Sequence, residues 1–203
     1  MNFKALPLLF FLLLLASAGL QAGNSDWELK KDKSGVKVWT RAVEGQSLKE
    51  SKAVSTFSTN VDKIINVIFD YEDYPDWSPR CISARQVSRS GDVIKSYTLS
   101  DSPWPVTDRD IVLKNTITRR ADGSVRIDMK ALDDDTPADG KSVRITYFEG
   151  FYELKPVSGG KTEVTYQSIF DPAGSIPAWM ANMAVVDTPY DLLHNMKEQL
   201  GVD

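Results

Sequence analysis

Side chains alternate between apolar and polar for most of the stretch from residue 81 to residue 170. Because a period of two puts successive side chains on opposite faces of a β-strand, this stretch is predicted to be extended. Glycine-containing turns divide it near residues 91, 123, 140 and 159, and short turns of this kind join antiparallel neighbours. The predicted strands are 82–88, 93–99, 109–119, 125–132, 143–154 and 162–170. The pattern therefore predicts a long antiparallel meander.

The predicted sheet has one apolar face. The strand that begins at residue 109 and the strand after it both place apolar side chains on that face, with one polar interruption. These side chains are Ile111, Leu113, Asn115 and Ile117, followed by Val125, Ile127 and Met129. The last strand places Tyr166 and Ser168 on one face with Val164 and Phe170. An apolar sheet face must be covered, so the chain needs a second layer.

The segment before the meander is predicted to form a hairpin and a helix. Strands at 36–43 and 48–58 would be joined around Gly45, because β-branched residues alternate with polar ones in both. Thr59 or Asn60 can cap a helix that runs from residue 61 to about residue 70. Residues 76–79 follow as a turn or a second short helix.

The C-terminal segment is the predicted cover of the sheet. Apolar residues recur at helical spacing from Ile176 through Met180 and Met183 to Leu200. Pro189 interrupts this pattern, and residues 188–191 resemble a fresh helix start with a capping box. We therefore expect a long helix across the sheet, with a kink or a brief break at Pro189.

The N-terminus resembles a secretory signal peptide. One basic residue, Lys4, precedes an apolar run from Leu8 to Ala16, and small residues follow up to Ala22. An uncleaved anchor is the alternative, but the run is shorter than the roughly 20 residues that cross a bilayer. We expect residues 1–22 to be removed, with Ala18 as the other candidate cleavage position. Residues 23–203 would then be a soluble periplasmic domain.

Composition excludes several kinds of site. Residues 1–22 hold a single charged residue, so the rest of the chain has 23 basic and 28 acidic residues, a balance that argues against nucleic acid. The only cysteine, Cys81, cannot form an internal disulfide, and the only histidine, His194, has no partner at catalytic spacing. Three aspartates at 133–135 lack the alternating ligands of a calcium loop. We expect no metal and no cofactor.

Two motifs carry the most specific signal. Trp104 and Pro105 open the first, WPVTDRDIV at 104–112, and Trp179 closes the second, DPAGSIPAW at 171–179. With the order of elements around them, they make residues 26–200 similar to the START lipid-transfer family. The resemblance implies an α+β helix-grip fold, in which a curved antiparallel sheet wraps around a long C-terminal helix.

The resemblance also implies an internal cavity for one lipid or sterol-like molecule, between the sheet and the C-terminal helix. Residues 101–107, before the Arg-Asp strand, would form a gate against that helix. The candidate cavity and portal residues are Trp104, Pro105, Ile111, Leu113, Asn115, Ile127, Met129, Tyr166, Ser168, Trp179, Met180 and Met183. Asp108, Arg109 and Asp110 are interpreted as structural, since carboxylates and a guanidinium at a strand start typically pin a loop.

The chain departs from the family at one place. Many members direct an acid and an arginine into the cavity, whereas a gapless comparison puts Ser96 and Asn115 at those positions. Neutral hydrogen-bonding groups would therefore meet the ligand, and Asn115 is the leading polar contact.

The expected function is lipid binding and carriage by a monomer that contacts membranes transiently and performs no covalent chemistry. Two alternatives stay open. One is an enzyme of the wider helix-grip superfamily, a cyclase or hydrolase acting on an apolar substrate, although Tyr166 and Ser168 without a base are weak support for catalysis. The other is a scaffold that binds envelope proteins, because fold does not dictate function.

Overall fold

A computed structural model of the protein describes residues 26–46, 48–174 and 176–203. The predicted signal peptide lies outside the described residues. The elements are β1 (Glu28–Lys33), β2 (Val36–Arg41), β3 (Glu50–Phe57), α1 (Val61–Phe69), α2 (Tyr74–Trp77), β4 (Cys81–Ser90), β5 (Val93–Ser100), β6 (Arg109–Arg119), β7 (Val125–Ala131), β8 (Val143–Ile145), β9 (Tyr147–Val157), β10 (Lys161–Asp171), α3 (Ala178–Asn182) and α4 (Thr188–Leu200).

The described strands form one sheet in the order β1-β2-β3-β10-β9-β7-β6-β5-β4, with β8 beside β6. All neighbours along this path are antiparallel, so the predicted meander from β4 to β10 is confirmed. The curved sheet, with helices against one face, is the α+β helix-grip architecture that the sequence predicts.

Two parts of the sheet differ from the prediction. The strand predicted at 143–154 is divided at Thr146 into β8 and β9, and β8 pairs with β6 in parallel. Strand β1 was not predicted, because its sequence ELKKDK has no apolar alternation. It is fixed by its pairing with β2 across a tight turn at Ser34 and Gly35, both of which have positive φ.

Helix α1 packs its apolar stripe onto the sheet. Asn60 caps it by accepting a hydrogen bond from the Lys63 backbone N–H at 3.0 Å. Its buried side chains Val61, Ile64, Ile65 and Ile68 belong to a core that also takes in residues of β2, β3, β7, β9, β10 and α4.

The C-terminal helix is continuous, but it contains a wider turn. A π-type turn at Met183–Asp187 joins α3 to α4, and Pro189 lies in the first turn of α4. The predicted fresh start is therefore wrong: Thr188 has helical φ and ψ, and no side chain caps α4. Since Pro189 has no N–H to give to an α-helical bond, a wider turn just before it lets the chain stay helical.

Gly150 of β9 lies where the sheet has no room for a side chain. A Cβ there would be 2.7 Å from the Gln167 carbonyl oxygen and 3.1 Å from the Cβ of Ser168. Both neighbours belong to β10, whose pairing with β9 holds them in place.

Gly150→Ala is expected to lower the free energy of unfolding by about 3 kcal/mol, because the strands must separate to admit the methyl group. Gly91→Ala is the matched control. Its positive φ costs about 1 kcal/mol in an alanine, but its Cβ would meet no atom within 4 Å. Urea unfolding of both variants measures the difference, and equal losses would contradict the packing argument.

Cys81 is the half-buried first residue of β4. Burial disfavours the thiolate and raises the pKa of the thiol to about 11, from an ordinary value of 9.0. Cys81 is therefore a packing residue of the strand, and its thiol is a poor nucleophile.

Cys81 should react slowly with iodoacetamide at pH 8, since its thiolate fraction is about a hundredfold lower than that of an unperturbed thiol. Mass spectrometry of the alkylated protein over time gives the rate. Urea-unfolded protein is the control and should react at the ordinary rate. A folded protein that reacts as fast as the unfolded one would contradict the assigned burial.

Candidate functional site

A cavity of about 220 Å³ lies between the sheet and the start of the C-terminal helix. Its apolar lining comes from β6, β8, β9, β10, the loop after β10, α3 and the π-type turn. The main apolar contributors are Ile111, Ile145, Phe148, Phe170, Ile176, Met180 and Met183. Ile111 and Phe170 are the two of these residues that the alternation of the predicted strands places on the apolar face.

The predicted cavity residues fall into two groups. Ile111, Tyr166, Ser168, Met180 and Met183 line the cavity. Leu113, Asn115, Ile127 and Met129 share the apolar side of the sheet but are not among the lining residues. Ile127 and Met129 instead pack in the main core with the aromatic residues that follow α1.

These aromatic residues are the part of the interior that the sequence analysis missed. Tyr71, Tyr74 and Trp77 pack in succession, with ring centroids 5.1 Å apart in both pairs. They belong to the same core as Met129 and Ile127. Their spacing of three residues in the sequence is the signal that could have revealed them.

Tyrosine hydroxyls give this interior a neutral polar character. Tyr152 and Tyr166 lie 5.0 Å apart between ring centroids on neighbouring strands. Burial raises the pKa of Tyr74, Tyr152 and Tyr166 above the usual tyrosine range, so these phenols stay protonated at neutral pH. As neutral phenols they can donate hydrogen bonds, and the Tyr74 hydroxyl donates to the Ile68 carbonyl oxygen.

Asn115 is satisfied within the protein. Its Nδ2 donates to Ser96 Oγ at 3.0 Å and to the Ile94 carbonyl oxygen at 3.2 Å. The two positions where many START members have an ion pair therefore hold a neutral hydrogen-bonded pair here. A ligand contact to Asn115 stays a prediction. It would require the ligand to extend from the cavity to the Asn115–Ser96 pair.

The gate loop, residues 101–107, lies against the segment that leads into α3. A groove between them is lined by Pro105, Val106 and Thr107 on one side and by Ala173, Gly174, Ile176 and Pro177 on the other. Trp104 projects from the loop and is 90% exposed, and Trp179 at the start of α3 is 52% exposed. The two motifs of the sequence are thus adjacent in space.

Arg109 connects these two segments. Its Nε donates to the Pro172 carbonyl at 3.1 Å, its Nη2 donates to the Ala173 carbonyl at 2.9 Å, and its Nη1 donates to the Thr107 carbonyl. The side chain lines both the cavity and the outer groove, so it forms the wall between them.

The aspartates on either side of Arg109 hold other loops. Asp108 Oδ1 accepts from the Ser102 backbone N–H at 2.9 Å, within the gate loop. Asp110 points to the convex side, where its Oδ2 is 2.7 Å from Arg144 Nη2. Arg144 also donates to the carbonyls of Asp134 and Thr136, which fixes the loop after β7.

The mouth of the cavity carries a second arginine. Arg80 donates through Nε to the Asp101 carbonyl at 2.9 Å and forms an ion pair with the Asp101 carboxylate. Both residues line the cavity. Within the part of the chain that the structure describes, no cluster of three or more potential metal ligands occurs, and no helix is both long and apolar enough to span a membrane.

The sequence is similar to known proteins. Residues 60–197 match the family described as polyketide cyclase / dehydrase and lipid transport. An uncharacterized protein of Pseudomonas aeruginosa is 36% identical over 179 residues, which are 87% of this chain and 89% of that protein. Mouse START domain-containing protein 10 is 25% identical over 77% of this chain, but the match spans only 55% of the mouse protein.

The fold is similar to that of solved structures. The crystal structure of a STAR-related lipid transfer protein from Xanthomonas axonopodis superposes with a TM-score of 0.80 and 32% identity. That match covers 86% of this chain and 98% of the Xanthomonas chain. The family match, the sequence identity and the shared fold agree, and the chain belongs to the polyketide cyclase / dehydrase and lipid transport family, as a member with a START domain.

Proposed function

We propose that the protein encloses a lipid or another apolar small molecule in this cavity and carries it through the periplasm without covalent chemistry. The observation that supports this proposal most is the apolar cavity beneath the C-terminal helix, in a chain whose Xanthomonas relative is described as a lipid transfer protein. Periplasmic location rests on the signal-peptide pattern of residues 1–22.

A carrier of this kind lowers a desolvation barrier. Exposing an acyl chain to water costs about 0.8 kcal/mol per methylene, so an uncatalysed lipid leaves a membrane slowly. Inside the carrier, the apolar cavity takes the place of the membrane around the acyl chain. Binding and release then require only that the cavity meets the bilayer surface and opens there.

The cavity must widen to receive such a ligand. Its volume of about 220 Å³ lies below the roughly 300–1,000 Å³ of typical small-molecule pockets. The wall between cavity and solvent consists of the gate loop, residues 172–177 and α3, which meet at Arg109 through three hydrogen bonds. Separation of these segments opens the cavity without disrupting the core around α1.

Exposed aromatic residues beside this wall suit contact with a membrane. Trp104 and Trp179 lie on the two segments that would separate. Tryptophan is favoured at the boundary between lipid headgroups and acyl chains, because its ring is apolar and its N–H is polar. We infer that these side chains dock the portal onto the bilayer while the ligand passes.

Cyclase chemistry is a second candidate, because the matching family includes polyketide cyclases and dehydrases. The cavity offers Tyr166 beside Ser168, and both are hydrogen-bonding groups. Burial raises the pKa of Tyr166, and neither residue has a described base beside it among the residues that line the cavity. This chemistry therefore has less support than binding alone.

Native mass spectrometry of the protein, purified without detergent, tests the binding proposal. One lipid per protein molecule is expected, either as purified or after incubation with vesicles of mixed phospholipids and free fatty acids. Extraction and fragmentation of the adduct then identify the lipid. A protein that stays bare under both conditions would contradict the proposal and favour a transient substrate or a scaffold.

Trp104→Ala and Trp179→Ala should each slow lipid transfer between vesicles at least several-fold. Because both side chains are exposed, the free energy of unfolding should change by less than about 0.5 kcal/mol. Transfer is followed with a fluorescent lipid moving from donor to acceptor vesicles.

Leu29→Ala is the matched control for the tryptophan variants. Leu29 is 50% exposed on the edge strand β1, away from the gate loop, and its loss should leave the transfer rate unchanged. Tryptophan variants that transfer lipid as fast as this control would contradict the docking role.

A further inference from the structure

Arg109 is a buried cation whose charge no carboxylate neutralises. The residue is only 9% exposed, and among residues 26–46, 48–174 and 176–203 no acidic oxygen lies within 4.0 Å of its guanidinium. All three of its recorded acceptors are backbone carbonyls. Buried charges in proteins are normally paired with an opposite charge, so this one is an exception beside a cavity.

The guanidinium also retains unused donors. An arginine side chain has five N–H groups, and the contacts to Pro172, Ala173 and Thr107 use one on each nitrogen. One N–H on Nη1 and one on Nη2 remain. Two donors on neighbouring nitrogens match the two oxygens of a carboxylate or a phosphate.

The other charged residues that border the cavity are already paired. Asp101 pairs with Arg80 at the mouth, and Asp110 pairs with Arg144 on the convex side. Arg109 is thus the one described charged residue bordering the cavity that has no ion-pair partner within 4.0 Å. The apolar side chains of Phe148, Phe170 and Met183 line the same cavity, so the cation borders a space suited to an acyl chain.

We propose that the ligand is a single-chain amphiphile with an anionic head, whose carboxylate or phosphate oxygens accept hydrogen bonds from Arg109 while its chain fills the cavity. This inference rests on the proposed lipid-binding function and assigns the chemical class of the lipid. The volume of about 220 Å³ favours one chain over two. Arg109 holds the closed portal together, so a head bound there lies at the junction of the two segments that separate.

Isothermal titration calorimetry with four probes that share a dodecyl chain tests the inference on the unmodified protein. The probes are dodecanoate, dodecyl phosphate, dodecan-1-ol and dodecyltrimethylammonium, each at a concentration below micelle formation at pH 8. The two anions should bind at least about tenfold more tightly than the alcohol, and the cation should bind most weakly.

The outcomes distinguish failure of the anionic-head inference from failure of the lipid-binding function on which it rests. Alcohol binding within twofold of the anions would overturn the anionic head and leave the lipid-binding function intact. Absence of binding by all four probes would overturn both. The anion that binds with the higher affinity shows whether the head is a carboxylate or a phosphate. If inorganic phosphate alone binds with the same affinity as dodecyl phosphate, the ligand is a free anion and the lipid assignment is overturned.

Arg109→Gln and Arg109→Lys add a protein-side test. Gln removes the charge and should abolish the preference for anions, whereas Lys keeps the charge and should retain part of it. Arg126→Gln, an arginine on the convex face, is the matched control and should keep the full preference. If thermal unfolding shows that the Arg109 variants do not fold, the four-probe series decides the question without them.

Discussion

The concave face of the sheet must be kept from water, and the rest of the structure depends on how this face is covered. Helix α1, the aromatic residues after it and α4 fill one part of the face with a dense core. The π-type turn and α3 cover the other part and pack on it only loosely, through a small cluster of Leu48, Val185 and Val186. The cavity lies under this second part, where fewer buried apolar side chains fill the space than in the core that α4 completes.

Arg109 and its neighbours explain why the thin part of the cover stays closed. Asp108, Arg109 and Asp110 lie in succession at the start of β6, and the alternation of the strand sends Arg109 inward and Asp110 outward. One short motif therefore holds the gate loop, the segment before α3 and the loop after β7. Hydrogen bonds from a charged donor to carbonyls are strong, yet each is individually reversible, which suits the proposed portal.

The sequence predicted the strands with clear alternation and the helices with an apolar stripe, because both patterns report which face is buried. It failed at β1, whose pairing comes from the turn at Ser34 and Gly35, and at β8, which is fixed by the contact between Arg144 and Asp110. Alternation places Ile127 and Met129 on the concave face, but it cannot say whether a cavity or another side chain meets them there. Tyr71 and Trp77 decide that question. Tyr71 follows the helix predicted to end near residue 70, and Trp77 lies where the sequence predicts a turn or a second short helix.

The methionine methyl groups provide the most direct test of the central claim, that the ligand lies beneath the π-type turn and α3. Met180 and Met183 line the cavity, whereas Met129 and Met196 are buried in the main core. With ¹³C-methyl methionine, NMR spectra recorded during titration with a fatty acid that carries a nitroxide on its chain should show selective broadening of Met180 and Met183. Equal broadening of Met129, which also borders a groove on the convex face, or no broadening of Met180 and Met183, would place the ligand elsewhere and contradict the account.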